Sequence, residues 1–239
     1  MTHIYSPFIP PLKHVGFLAR FCKSRYNNGD FVYSSLDRID SDGDYTVDNT
    51  NPCCVECNDA KAKYTMDEYF TWIKIAYEYT HLENGFDEHR VYIERNIIPN
   101  DFNQSAFGKK FQAIKTSAKQ REKKFEISEN DIKNKIFDNC FYCGKQPLNE
   151  AYSHDKKHLM LVNGVDRRDN DIGYTPSNII PCCDQCNYTK NSQTEEAFCN
   201  HIKRVYEYSN LNEYKPSVEC YTHVMKHFAQ IKSKIVQKK

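Results

Sequence analysis

The chain has 239 residues, 39% of them hydrophobic and 27% charged, with a formal net charge of +1. That length has room for one large domain or two of ordinary size, and the near-neutral balance excludes any global electrostatic argument for a nucleic-acid partner. Eleven cysteines, an odd count in a chain of this size, argue against a secreted disulfide scaffold and for metal binding in a reducing compartment.

The first 21 residues carry neither a basic region followed by an apolar core nor a small-residue cleavage site. No stretch has the length of apolar sequence that spans a bilayer. A soluble, intracellular, cytoplasmic protein with no membrane partner is expected. Plentiful tyrosine, phenylalanine, lysine, asparagine and isoleucine beside sparse glycine suit an A·T-rich genome of phage, viral or prokaryotic type.

In chain order, Pro7, Pro10 and Pro11 interrupt the first 35 residues, and a short helix is predicted over 12–24. The N-terminal module is expected over 1–82, its repeated part starting at residue 37 and closing on a helix over 66–79 that places Tyr69, Trp72, Ile73, Ala76 and Tyr77 on one face, behind the capping box Thr65-Met66-Asp67-Glu68. A connector occupies 83–139. Within it Phe107, Phe111, Ile114 and Ala118 recur at helical spacing, and the run 109–124 carries seven positive charges and one negative. Lys109, Lys110, Lys115, Lys119, Arg121 and Lys123 form the basic side of this helix, as phosphate contacts or as a solvated face. Ser128-Glu129-Asn130-Asp131 starts a further short helix. The second module covers 140–211, with Thr194 capping a helix that contains Phe198, Ile202, Val205 and Tyr206, and a basic helical tail completes the chain over 212–239.

Residues 37–82 are written again at 166–211 with a constant offset of 129, and 20 of the 46 aligned positions are identical. Each copy runs Asp-Arg, Tyr-Thr, Asn, Pro-Cys-Cys-x-x-Cys-Asn, Lys. Two copies are too few for a solenoid and indicate a duplicated module.

In the second copy, Cys140-Phe141-Tyr142-Cys143-Gly144 and Cys183-Asp184-Gln185-Cys186 form two Cys-x-x-Cys knuckles forty residues apart. Each knuckle turns two sulfurs toward one point, so the four match a tetrahedral, structural zinc with no open position for water. Cys182, Cys199 and Cys220 are packing or surface thiols. In the first copy Cys54 and Cys57 make a possible second zinc site, completed by His14 and Cys22 or else lost, so this copy reads as degenerate. If the Asp-Arg segment ends a strand and the Cys-Asn pair opens a helix, Asp166 and Asn187 converge on one cation in the manner of Mg²⁺ at phosphoryl-transfer sites. Asn178 would tie the loop between them.

Together, Cys140 to Gly144, Gly164-Val165-Asp166-Arg167-Arg168-Asp169-Asn170, Gly173 to Asn178 and Cys183 to Lys190 resemble the HNH (His-Me finger, ββα-metal) endonucleases in their zinc-bound branch. The resemblance covers about seventy residues of the second half and about forty-five of the first. It implies an α+β fold of two tandem ββα-metal zinc modules joined by a helical connector, and hydrolysis of double-stranded DNA with Mg²⁺ or another divalent cation. One departure is plain: Arg167, and Arg38 in the first copy, stand where the family's general-base histidine is found. Arginine cannot accept a proton, so its expected role is electrostatic. The Asp-Arg arrangement is similar to that of a rare-cutting restriction enzyme of the same class, in which a tyrosine replaces the histidine; Tyr142 matches it, with His154 and His158 as other candidates. The expected function is a restriction, homing or mobile-element endonuclease, acting as a monomer with internal pseudo-symmetry or as a homodimer. The alternative is an inactive zinc module that binds nucleic acid within a larger nucleoprotein assembly.

Overall fold

The computed structural model describes residues 20–23 and 30–33 as backbone, and residues 35–96 and 98–217 in full. His14, the expected helix over most of 12–24 and the tail helix beyond 217 lie outside the described residues. The chain falls into two compact units, Met1–Thr65 and Met66–Lys239.

In the first unit, strands β1 (Arg20–Lys23) and β2 (Asp30–Tyr33) pair antiparallel, as do β3 (Ser35–Arg38) and β4 (Thr50–Cys53), and helix α1 (Val55–Lys61) follows. The end of the helix predicted over 12–24 is thus a strand. Its Arg-Phe-Cys-Lys has an aromatic beside a cysteine and pairs with the β-prone Phe31-Val32-Tyr33, and such cross-strand pairing overrides a short helical pattern.

The second unit opens with α2 (Met66–Tyr79), followed by α3 (Gln104–Gln120) and α4 (Glu129–Ile136). The hairpins β5 (Asn149–Tyr152) with β6 (Leu159–Val162) and β7 (Gly164–Arg167) with β8 (Ile179–Cys182) come next, then α5 (Asp184–Lys190) and α6 (Glu195–Tyr208). The coarse α+β class is therefore as expected. Among the described residues no helix is long and apolar enough to cross a membrane.

Every strand and α-helix from β1 to α2 begins 129 residues before a counterpart of the same type and length, from β5 to α6. The registers agree too: Arg20 faces Tyr33 as Asn149 faces Val162, and Asp37 faces Asn51 as Asp166 faces Ile180. The duplication therefore includes an upstream hairpin that the identity pattern, beginning at Asp37, does not reveal.

One boundary moves. Sequence placed 66–82 with the first module, yet α2 clusters with the second unit because its apolar face is buried against α6. Tyr69, Trp72, Ile73, Ala76 and Tyr77 are all buried, as the helical spacing requires. The α2 and α6 contacts are reciprocal: Tyr69 meets His201 while Trp72 meets Phe198, and 201 and 198 are the counterparts of 72 and 69.

The connector helices cover the second module. Asn103 caps α3 by accepting from the Ala106 amide, and Ser128 with Asp131 forms a full capping box on α4. Phe107 and Phe111 from α3 and Ile132 and Ile136 from α4 share a core with Val162 and Val165. Burial of each such side chain contributes about 1.5–3 kcal/mol. As a result β7 and β8 are buried at every residue, whereas in their counterparts β3 and β4 only Asp37 is.

Candidate functional site

The four cysteines Cys140, Cys143, Cys183 and Cys186 come together, all buried, with every sulfur within 4.8 Å of the others. The first knuckle closes by Gly144 N–H to Cys140 O at 2.9 Å and Cys140 N–H to Lys145 O at 2.7 Å. Gly144 sits at φ +71, and a Cβ there would lie 2.5 Å from the Tyr79 ring, so the turn requires glycine on two counts. The second knuckle is formed where β8 runs into α5, with Cys183 at the N-cap. Cys143 and Cys183 sulfurs stand 3.7 Å apart. Zinc–thiolate bonds of about 2.3 Å in a tetrahedron place sulfurs about 3.8 Å apart, so the donor set fits a metal such as zinc. Cys182 is buried beside the set, its thiol in contact with that of Cys140 and donating to Cys183 O at 3.4 Å.

In the first unit Cys54 caps α1, accepting from the Cys57 amide at 3.3 Å. Cys53 and Cys57 lie beside it, close enough that contact with Cys54 and burial push the Cys53 thiol up to about 12. Cys22 is in β1, and its side chain is outside the described set.

The Asp-Arg and Asn residues form a network that is the same in both copies. Asn178 accepts from the Asp169 amide at 2.9 Å and donates to the Asp169 and Gly173 carbonyls at 2.9 Å each. Asn49 does the same with Asp40 and Asp44. These are the loop ties expected of the middle asparagine. Asn187 donates through Nδ2 to Val165 O at 3.3 Å, and Asn58 to Leu36 O at 3.1 Å, so each last asparagine is fixed to the carbonyl preceding the Asp.

Arg167 departs from its expected electrostatic role. Its guanidinium, 7% exposed, donates to Asn170 O at 2.8 Å and Ile172 O at 3.2 Å, and lies over the Tyr174 ring. Arg38 likewise donates to Gly43 O at 2.8 Å and lies over Tyr45. In both copies the arginine clamps the loop after the strand rather than facing outward, because the turn's carbonyls lie within reach of its fork.

Asp166 is 5% exposed. Its Oδ2 accepts from the Tyr142 hydroxyl at 2.9 Å and from the Lys190 ammonium at 3.0 Å. Lys190 has no exposed surface and also donates to Arg167 O at 3.0 Å. The first copy repeats the pair, Lys61 to Asp37 Oδ1 at 3.1 Å and to Arg38 O at 2.8 Å. Burial pushes both carboxyls above their ordinary value against the pull of the lysines. Lysine occupies the same register in both repeats, and that repetition is the signal by which sequence reasoning could have found it.

Tyr142 does not suit the role of a base. It has no exposed surface, its hydroxyl is spent on Asp166, and burial together with the Asp166 charge holds its phenol well above the ordinary tyrosine value, so it stays protonated. His154 and His158 are exposed on the turn joining β5 to β6. Lys109, Lys115 and Lys119 on α3 and Arg121 at its C-cap are exposed, while Lys110 on the helix and Lys123 beyond it are partly covered, and burial lowers the Lys110 ammonium.

Among proteins of known sequence, the chain is 27% identical over 170 residues to an uncharacterized protein of Acanthamoeba polyphaga mimivirus. The match covers 71% of this chain and 28% of that protein, so the chain spans less than a third of the relative's length. No protein-family description matches the chain, and no solved structure does.

Proposed function

We propose that the chain is a metal-dependent DNA endonuclease of HNH type, built from two ββα modules. The observation that carries this reading is the network held in both copies: a strand-end Asp, a loop tied by one Asn, and a second Asn fixed to the strand from the first turns of the following helix. Asp166 and Asn187 would hold one Mg²⁺, which supplies activation of water and neutralisation of charge on the scissile phosphate. Lys190 holds the Asp166 carboxylate in one rotamer, and Asn178 with Arg167 keeps the intervening loop rigid. A structural zinc on the four cysteines fastens the helix that carries Asn187 to the rest of the module. The exposed lysines of α3 supply phosphate contacts to duplex DNA.

The second reading is a module that binds nucleic acid without cutting it. The buried lysine on each Asp favours it, because an ammonium already neutralises the carboxylate. Incubation of supercoiled plasmid with the full chain in Mg²⁺, Mn²⁺ or EDTA separates the two. Nicked or linear product that depends on divalent metal supports the endonuclease. Binding to duplex DNA with no cleavage under any metal leaves the binding module.

A further inference from the structure

Trp72 is the single tryptophan of the chain and is 4% exposed. It sits on α2, which follows the first repeat's module, but its indole Nε1–H points to Cys186 Sγ in the second repeat's knuckle at 3.4 Å. A buried indole N–H needs an acceptor, and Cys186 is the partner it finds among the described residues. Tyr69 and Phe198 pack against the ring at centroid distances of 5.9 and 6.3 Å and fix its direction. The second copy carries His201 at this position, and its Nε2 meets the Tyr69 hydroxyl instead.

We infer that Trp72 is a positioning residue of the four-cysteine metal site, whose N–H···S hydrogen bond draws charge from the Cys186 thiolate and couples metal retention to the docking of α2 on α6. Four thiolates on one divalent zinc leave a net double negative charge in a buried place, and a donor aimed at one sulfur stabilises it. A thiolate is also a far better acceptor than a thiol, so the indole hydrogen bond is strong only while the metal is bound. By linkage, zinc tightens the α2–α6 contact to the degree that the contact tightens zinc. The inference needs only the metal site and not the nuclease reading.

The test uses the full chain with Trp72→Phe, which keeps the aromatic packing and removes the N–H. Zinc transfer to a chromophoric chelator should become about tenfold easier, in the range seen when a metal ligand's outer partner is removed. In the cobalt(II)-loaded protein the thiolate-to-metal charge-transfer band should move to lower energy, a shift that altered packing alone does not produce. Zinc retention equal to wild type with an unmoved band overturns the inference. Should the variant fail to fold, the wild-type chain answers the same question. Its single indole N–H resonance should shift and exchange faster when zinc is stripped, and a resonance indifferent to zinc overturns the inference equally. DNA cleavage is not read in any arm, so a failed nuclease assay and a failed hydrogen bond are distinguished.

Discussion

Tyr77 stacks on Tyr206, its own counterpart 129 residues later, with ring centroids 3.7 Å apart and planes 5° from parallel. A residue that touches its own counterpart lies on a twofold axis, and the reciprocal pairs of Tyr69 with His201 and Trp72 with Phe198 flank that axis. The α2–α6 contact thus has the form of a homodimer interface contained in one chain.

The stack gives a measurable coupling. Tyr77→Ala should destabilise the chain by about 3 kcal/mol, since the ring is buried and a cavity remains. In a double-mutant cycle with Tyr206→Ala, the pair should show about 0.5–1.5 kcal/mol of interaction beyond the single losses. Urea midpoints of the four proteins provide the check, and additive effects would contradict a direct stack.

Removing a metal ligand should be costly. Cys183→Ser is expected to lower zinc content by one equivalent per chain in elemental analysis and to lower the melting temperature, because the thiolate set joins the knuckle before β5 to the start of α5. Unchanged zinc content in this variant would contradict the four-cysteine site.

Lys190→Met leaves Asp166 buried without its cation. The expected loss is about 3–5 kcal/mol, the usual result of removing one partner of a buried pair. Adding Asp166→Asn removes the stranded charge, so the double variant should recover a large part of that loss. A double variant no more stable than Lys190→Met would show that the pair is not what the lysine serves.

Much of this site is legible in the sequence, because paired Cys-x-x-Cys knuckles and loop-tying asparagines depend on spacing that sequence states directly. The upstream hairpins were not legible: Arg-Phe-Cys-Lys and Asn-Glu-Ala-Tyr occupy equivalent strands without one identity, since backbone pairing there fixes the fold and leaves side chains free to diverge. The roles of Arg167 and Tyr142 were misread for a different reason. Both are polar residues in a motif, and only their burial shows that the guanidinium serves the loop and the phenol serves Asp166. The boundary at residue 66 was hidden because an amphipathic helix names its apolar face and not the surface that covers it.

Acid should weaken the start of α4. Asp131 accepts from Ser128 in the capping box, and this hydrogen bond, its largest influence, holds the carboxyl below its ordinary value. A depressed folded-state value contributes stability above the unfolded value, about pH 3.9, and loses it as pH falls through the folded one. Asp131→Ala should therefore be less stable than wild type at pH 6, and the gap should close as pH falls past the unfolded value and through the lower folded one. A gap independent of pH, followed by urea denaturation at each pH, would contradict the assignment.

The most direct test of the central claim is cleavage of end-labelled duplex DNA in Mg²⁺ by the wild-type chain, Asn187→Ala and Asn58→Ala side by side. The account predicts that wild type cuts and that Asn187→Ala cuts at least about 100-fold more slowly, as expected when a metal ligand is removed. Asn58→Ala reports whether the first copy, which keeps the same network, cuts the second strand: loss of cleavage on one strand alone would assign it that strand. Wild-type rates from Asn187→Ala on both strands would contradict the placement of the active site in the second module.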